Sequence, residues 1–215
     1  MDIRNSTNDF LNDLLLAGGL ESNPGPDEVA LEEMESTQQR KLSKCSGHVL
    51  SISTLNCRGL TVQSKARNTI KALQDLYKRK KVSHYIAMLQ ETHLFDENFL
   101  SQTLDCQVIA AHGTSQSRGV AVVISSELTI LPNSICKDNE GRFIILAVSG
   151  YNPSKPRSPL IVLNIYAPND HNASKIFFEK VAEEIDNLSF ELAATELYDQ
   201  PELVIGGDFN FVGPG

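Results

Sequence analysis

An α/β fold, with mixed β-sheets packed as a sandwich and helices outside, is predicted by three features of this sequence. Short apolar runs of strand length recur from residue 48 onward. Two longer segments, 64–81 and 173–188, carry apolar residues at helical spacing. The remaining strand-like runs follow one another in the middle of the chain, framed by those helices, an order that suits stacked sheets with crossover helices outside.

The elements follow in chain order. Residues 48–57 alternate apolar and polar side chains, as a half-buried strand does. In 64–81, Ala66, Ile70, Leu73, Leu76 and Tyr77 share one helical face, and Ser64 stands at the N-cap position. Residues 85–89 form a second short apolar strand, and 95–104 fit a short helix. Strand-like runs then occupy 107–111, 119–125, 128–131, 143–148 and 160–165. The intervening 151–159, rich in Pro, Ser and Asn, reads as a hairpin loop. An amphipathic helix covers 173–188 or somewhat more, and 203–205 is the closing strand. Gly206 and Gly207 would let the backbone turn tightly there and leave room for a bulky ligand. The sequence has no internal repeat.

Composition narrows the functional classes. The formal net charge of -8 is unevenly placed: residues 1–47 hold four basic and nine acidic side chains, leaving 15 basic and 18 acidic ones for the rest. Acidity is therefore weak evidence against a polyanionic substrate, above all where a divalent cation offsets carboxylates. The four cysteines, Cys45, Cys57, Cys106 and Cys136, have neither zinc-site spacing nor the density of a disulfide scaffold, so reduced thiols in an intracellular, non-secreted protein are expected. That leaves nucleus and cytoplasm as expected locations. No apolar run approaches the roughly 20 residues of a membrane span, so no membrane partner is expected. Residues 1–47 are dominated by Asn, Asp, Ser and Glu and are expected to form a mostly disordered acidic tail before a domain at 48–215.

Four polar tips stand at the carboxyl ends of the expected strands: Asn56, Glu91, Tyr166 to Asn169, and Asp208 to Asn210. Ligand sites of α/β layers assemble at such ends. Glu and Asp are hard oxygen ligands suited to magnesium. Asn holds a phosphate oxygen or a water without adding charge, and Tyr supplies a hydroxyl donor. Metal-assisted attack of water on a phosphodiester needs that combination. Each residue also has a purely structural alternative. Asn56 can shape a turn before Gly59, Glu91 can cap a helix, Tyr166 can be a half-buried strand residue before Pro168, and Asp208 can close an Asx-turn. Singly, each alternative is at least an even choice; four in this order are a coherent set.

Ser53-Thr54-Leu55-Asn56-Cys57-Arg58-Gly59-Leu60, Leu89-Gln90-Glu91-Thr92-His93, Asn164-Ile165-Tyr166-Ala167-Pro168-Asn169 and Gly206-Gly207-Asp208-Phe209-Asn210 resemble the successive motifs of the endonuclease/exonuclease/phosphatase superfamily. Arg118-Gly119-Val120-Ala121 and Gly141-Arg142-Phe143 fall where that superfamily has its central strands. Gln-Glu-Thr-His with Tyr-Ala-Pro-Asn-Asp is most similar to the apurinic-like endonuclease of non-LTR, LINE-type retrotransposons. The resemblance spans residues 49–211 and implies a DNase I-like fold. It implies magnesium, or manganese in its place, bound by Glu91 with help from Asn56. It further implies that Tyr166 stabilises the phosphate transition state, Asp208 orients or activates water, and Asn210 holds phosphate. Asn169 is implied as support behind these groups. His93, beside Glu91, is a candidate base with a local structural role as its alternative. The implied reaction is nicking of DNA for target-primed reverse transcription, with the reverse transcriptase carried on the same polyprotein.

Two departures bear on activity. Some family members have an acidic metal ligand where this chain has Arg58. The family's late Ser-Asp-His motif would fall beyond Phe211, so the fold is expected to be incomplete at the C-terminus and the fragment inactive or impaired. The readings that compete with a nicking enzyme are a non-catalytic truncated remnant and another superfamily phosphoesterase, such as an RNA 3′-exonuclease or a lipid or inositol phosphatase. The basic run Lys78-Arg79-Lys80-Lys81 reads as a solvated helix end stabilised by its dipole, with a DNA-backbone contact as the alternative.

Residues 13–26, ending Asn23-Pro24-Gly25-Pro26, resemble a 2A-like ribosome-skipping peptide. The resemblance implies release of the nascent chain after Gly25 and resumption at Pro26. Gly19 stands where that family usually has Asp. Such peptides precede some retrotransposon proteins.

Overall fold

The computed structural model describes residues 49–94, 96, 98, 104–114 and 117–210. The tail with Gly25 and Pro26 and nearly all of the expected 95–104 helix lie outside the described residues.

Two sheets stack face to face, each with a helix on its outer side. In the first, the order is β1-β2-β4-β3, built from β1 Leu50–Asn56, β2 His84–Gln90, β3 Cys106–Ala111 and β4 Val120–Ser125. In the second, β5 Thr129–Ile130, β7 Phe143–Ser149, β8 Leu160–Tyr166 and β9 Glu202–Asp208 follow in that order, and β6 Cys136–Lys137 also pairs with β7. Helix α1, Gln63–Arg79, connects β1 to β2, and helix α2, His171–Ala194, connects β8 to β9. Both connected pairs are parallel, while β2/β4, β3/β4 and β7/β8 are antiparallel. This arrangement is the mixed-sheet sandwich with outer helices that the sequence predicts.

The chemistry of the strands explains the layering. All seven residues of β2 and all six of β4 are buried, because each strand is covered on both faces. Ile86 and Met88 point into the layer between the sheets with Val122, Ile124, Leu146 and Val162. Ala87 and Leu89 point the other way, onto Ala66, Ile70 and Tyr77 of α1. The second sheet repeats this pattern: Phe143, Ile145, Leu163 and Ile165 pack on Phe177, Phe178, Val181 and Ile185 of α2. The result is one inner and two outer apolar layers.

Several boundaries differ from the expectation. Ser64 lies inside α1; the N-cap is Val62, extended at φ -85° and ψ 119°, with no side-chain cap hydrogen bond. Helix α2 starts earlier and runs longer than 173–188 because the Asp170 side chain accepts from the Ala173 N–H at 2.8 Å and Ser189 and Leu192 are buried. Strand β6 carries no periodic signal, being only two residues long. The closing strand continues through Gly206 and Gly207 to Asp208, so these glycines do not form a turn. A side chain at Gly206 would put its Cβ 2.8 Å from Met88 Sδ, and at Gly207 (φ 141°) the Cβ would overlap the Ile165 carbonyl oxygen. At Gly207 the backbone of the neighbouring strand leaves no room for a Cβ, and at Gly206 the close neighbour is the Met88 side chain.

Candidate active site

The two parallel pairs bring their carboxyl ends to the same edge of the sandwich. Register sets Asn56 opposite Gln90 in one sheet and Tyr166 opposite Asp208 in the other. Glu91 follows Gln90 directly, in a left-handed conformation at φ 50° that swings it off the strand. The loop after β1 is laced to the loop after β2: Cys57 N–H donates to Gln90 O at 2.8 Å, Gly59 N–H to Glu91 O at 2.7 Å and Leu60 N–H to Thr92 O at 2.6 Å. Lys65, in the first turn of α1, donates to Gly59 O at 2.5 Å.

Asn56 is the meeting point. Its Nδ2 donates to Glu91 Oε1 at 2.9 Å and to Asp208 Oδ2 at 3.3 Å, while its Oδ1 accepts from the Arg58 N–H at 3.1 Å. The other Asp208 oxygen accepts the Asn210 N–H at 3.2 Å, so that carboxylate is aimed from both sides. The half-buried Tyr166 hydroxyl lies beside Glu91. Burial raises its pKa above the usual tyrosine range first, and the Glu91 and Asp208 charges add to this, while Arg142 opposes it. Tyr166 therefore stands as a protonated hydroxyl donor at neutral pH.

The remaining expected residues are spread around this group. The Asn210 Nδ2 donates to Ala167 O at 2.7 Å, tying the segment after β9 to that after β8. Asn169 is exposed beside the Asp170 cap of α2. His93 has φ 51°, donates its N–H to Arg118 O at 3.3 Å, and presents its ring to Gly59, whose Cβ position lies 3.2 Å from Nδ1.

Sequence reasoning gave no role to two groups that shape the site. Arg142 accepts the Tyr166 N–H at 2.7 Å, donates from Nη1 to Tyr166 O at 3.3 Å, and lies 3.5 Å from Glu140, which also pairs with Arg118 at 2.6 Å. Its own N–H is held by the buried Asp138 carboxylate at 3.1 Å. Gln90 and Asn164, both fully enclosed, bond to each other beneath the site at 2.7 Å. Their signal in the sequence was an amide inside an apolar run, where an apolar side chain is the norm.

The donor set suits one hard divalent cation. Glu91 and Asp208 supply carboxylates that share one amide, and no group of three or more His, Cys, Asp or Glu side chains forms among the described residues. Magnesium is commonly held by one or two carboxylates with waters and substrate phosphate completing its shell, so these residues fit it.

The chain is similar to TDP2 from C. elegans, at 16% identity over 75% of this chain and 49% of that chain, with a TM-score of 0.46. It is similar to humanized D. rerio TDP2 carrying 14 mutations, at 14% identity over 73% of this chain and 60% of that chain, with a TM-score of 0.46. A third similar structure is the endonuclease domain of TRAS1, a telomere-specific non-LTR retrotransposon, at 13% identity over 73% of this chain and 58% of that one, with a TM-score of 0.43. The chain thus covers less than two thirds of each of these three. Residues 53–214, which include all four polar tips, match the Endonuclease/Exonuclease/phosphatase family along their length. This chain belongs to the Endonuclease/Exonuclease/phosphatase family.

Proposed function

We propose that this chain is a magnesium-dependent phosphodiester hydrolase that nicks DNA, the endonuclease part of a non-LTR retrotransposon polyprotein. Residues 48–215 would form its catalytic domain and 1–47 a tail carrying the 2A-like peptide. The observation that carries the hydrolase reading is the single Asn56 amide joined to Glu91 and Asp208, with the Tyr166 hydroxyl close by. The Gln-Glu-Thr-His and Tyr-Ala-Pro-Asn-Asp motifs support the retrotransposon assignment, with DNA as substrate and a reverse transcriptase as partner in the same polyprotein.

Each side chain has its own part in the reaction. Glu91 would hold the cation, which supplies charge neutralisation at the phosphate, and the Asn56 amide aims that carboxylate. Asp208, fixed by Asn56 and Asn210, accepts a proton from the attacking water as its oxygen bonds to phosphorus and the bond to the 3′ oxygen breaks, that oxygen leaving as a hydroxyl protonated from solvent. Tyr166 donates its hydroxyl to a phosphate oxygen as charge develops there. Asn210 contributes an uncharged contact to phosphate, and Asn169 and His93 shape the rim.

Incubating the full chain with supercoiled plasmid and magnesium tests this. Conversion to nicked circles that EDTA stops and Asp208→Asn removes is the expected result. Trimming of RNA 3′ ends or release of phosphate from inositol lipids, without nicking, would assign the site to another branch of the family. Inertness toward all three substrates would mark a non-catalytic remnant.

A further inference from the structure

We infer that Gln90 and Asn164 are positioning residues: a buried amide clamp that fixes one sheet over the other and so sets the separation of Glu91 from Tyr166. This rests on the proposed hydrolase reading. Gln90 is 1% exposed and Asn164 is 0% exposed, and both lie in the layer between the sheets, one step above Met88 and Val162. The Gln90 amide donates to Asn164 Oδ1 at 2.7 Å and to Met88 O at 3.1 Å, and its oxygen accepts from Thr54 Oγ1 at 3.1 Å. The Asn164 amide donates across the sandwich to Leu89 O at 3.0 Å and Ala121 O at 2.9 Å. Both amides thus use both protons and an acceptor, and neither leaves a buried group unpaired.

The surroundings do not require amides for stability. Met, Val and Leu side chains fill the rest of this layer, and an apolar pair of similar volume would pack there. Apolar contact is non-directional and leaves one sheet free to slide over the other by fractions of an ångström. The 2.7 Å bond between β2 and β8 removes that freedom. Its position gives the restraint a purpose. Glu91 is the next residue after Gln90, and Tyr166 is two residues beyond Asn164 on the same face of β8, about 7 Å away. Thr54 extends the network to β1, two residues before Asn56. The clamp therefore touches the three strands that deliver Asn56, Glu91 and Tyr166, and touches none of the reacting groups.

Two variants separate positioning from packing. Gln90→Met with Asn164→Leu keeps the volume and removes the directional bonds. Thr54→Val keeps the shape of an accessible side chain and removes one bond. The expected result for the double variant is an unchanged KM for plasmid, a kcat lowered by about 10- to 100-fold, and weaker Mn2+ binding by electron paramagnetic resonance, with a near-native melting temperature. Thr54→Val should show the same split on a smaller scale, and exchanging the amides (Gln90→Asn with Asn164→Gln) should restore part of kcat. Native kcat and Mn2+ affinity in a folded double variant would overturn the proposal. If that variant fails to fold, native kcat and Mn2+ affinity in Thr54→Val would do so. Mn2+ binding is read without turnover, so absence of nicking by the wild-type chain would count against the hydrolase reading and leave the clamp to be judged by metal affinity.

Discussion

Asn56 carries more of the site than its uncharged side chain announces, because one amide nitrogen faces two carboxylates that would otherwise repel each other. Asp208 is held at both oxygens, and burial first, then the neighbouring carboxylates, keep Tyr166 protonated, so the two should fail differently. Tyr166→Phe should lower kcat by about 10²-fold with KM little changed, since it removes a donor aimed at developing charge. Asp208→Asn should lower kcat by about 10²- to 10⁴-fold and leave plasmid binding intact. Steady-state nicking with separate binding measurements checks both; an equal loss of affinity and rate would refute the assignment. The polar tips could be read from the sequence because each interrupts an apolar run. Gln90 and Asn164 interrupt such runs as well. Their role was hidden because an amide's partner lies on another strand, and nothing local names it.

At the level of elements, α1 begins without a side-chain cap although Val62 has the extended backbone of an N-cap residue and is 58% exposed. Val62→Ser should therefore stabilise the protein by about 1 kcal/mol, read as a higher urea midpoint at an unchanged slope. The helix itself was legible from Ala66, Ile70 and Tyr77, whereas its first turn depended on a capping interaction that sequence places at Ser64 and the fold does not make. Beneath α1, Tyr85 stacks on Tyr77 at 4.4 Å and accepts a bond from Gln74. Burial pushes the Tyr85 hydroxyl from 10.0 up to about 12 and the Cys106 thiol from 9.0 up to about 11. The unfolded chain thus loses these protons first. The stabilisation is complete below about pH 9 and is lost as pH rises toward 11 to 12. Urea unfolding from pH 8 to 11 should show that decline, and Cys106→Ala with Tyr85→Phe should flatten it; an unaltered slope would place the alkaline sensitivity elsewhere.

Across the whole molecule, charge is sorted by helix. Exposed Lys65, Arg67, Lys71, Lys78 and Arg79 oppose only Asp75 on α1, whereas α2 carries Glu179, Glu183, Glu184, Asp186 and Glu191 against Lys175 and Lys180. The two helices cover opposite outer faces, so a polyanion approaching the site would meet a basic side at α1. Replacing Lys78, Arg79, Lys80 and Lys81 with Ala should shallow the dependence of log Kd for duplex DNA on log salt by up to about 0.9 for each phosphate no longer neutralised, with kcat at saturating DNA unchanged. An unchanged slope would reduce the run to a helix end stabilised by its dipole. Among the described residues, no helix is long and apolar enough to cross a membrane.

The alternation of apolar and polar residues was enough to place most strands and both long helices, since period and side-chain chemistry are local properties of a chain. It was also enough to bring Asn56, Glu91, Tyr166 and Asp208 forward as strand-end tips. Which strands pair, and in which direction, lay beyond it: every strand edge offers the same N–H and C=O groups, and the choice of partner follows from burying particular faces. Only folding put β1 beside β2 and β9 beside β8, in parallel, and stacked those pairs so that side chains 152 residues apart share one hydrogen bond. The short β6, the close approach that demands glycine at 207, and the amides joined between the sheets belong to that second kind. Each depends on atoms distant in sequence, held together by the packing of the two apolar layers around them.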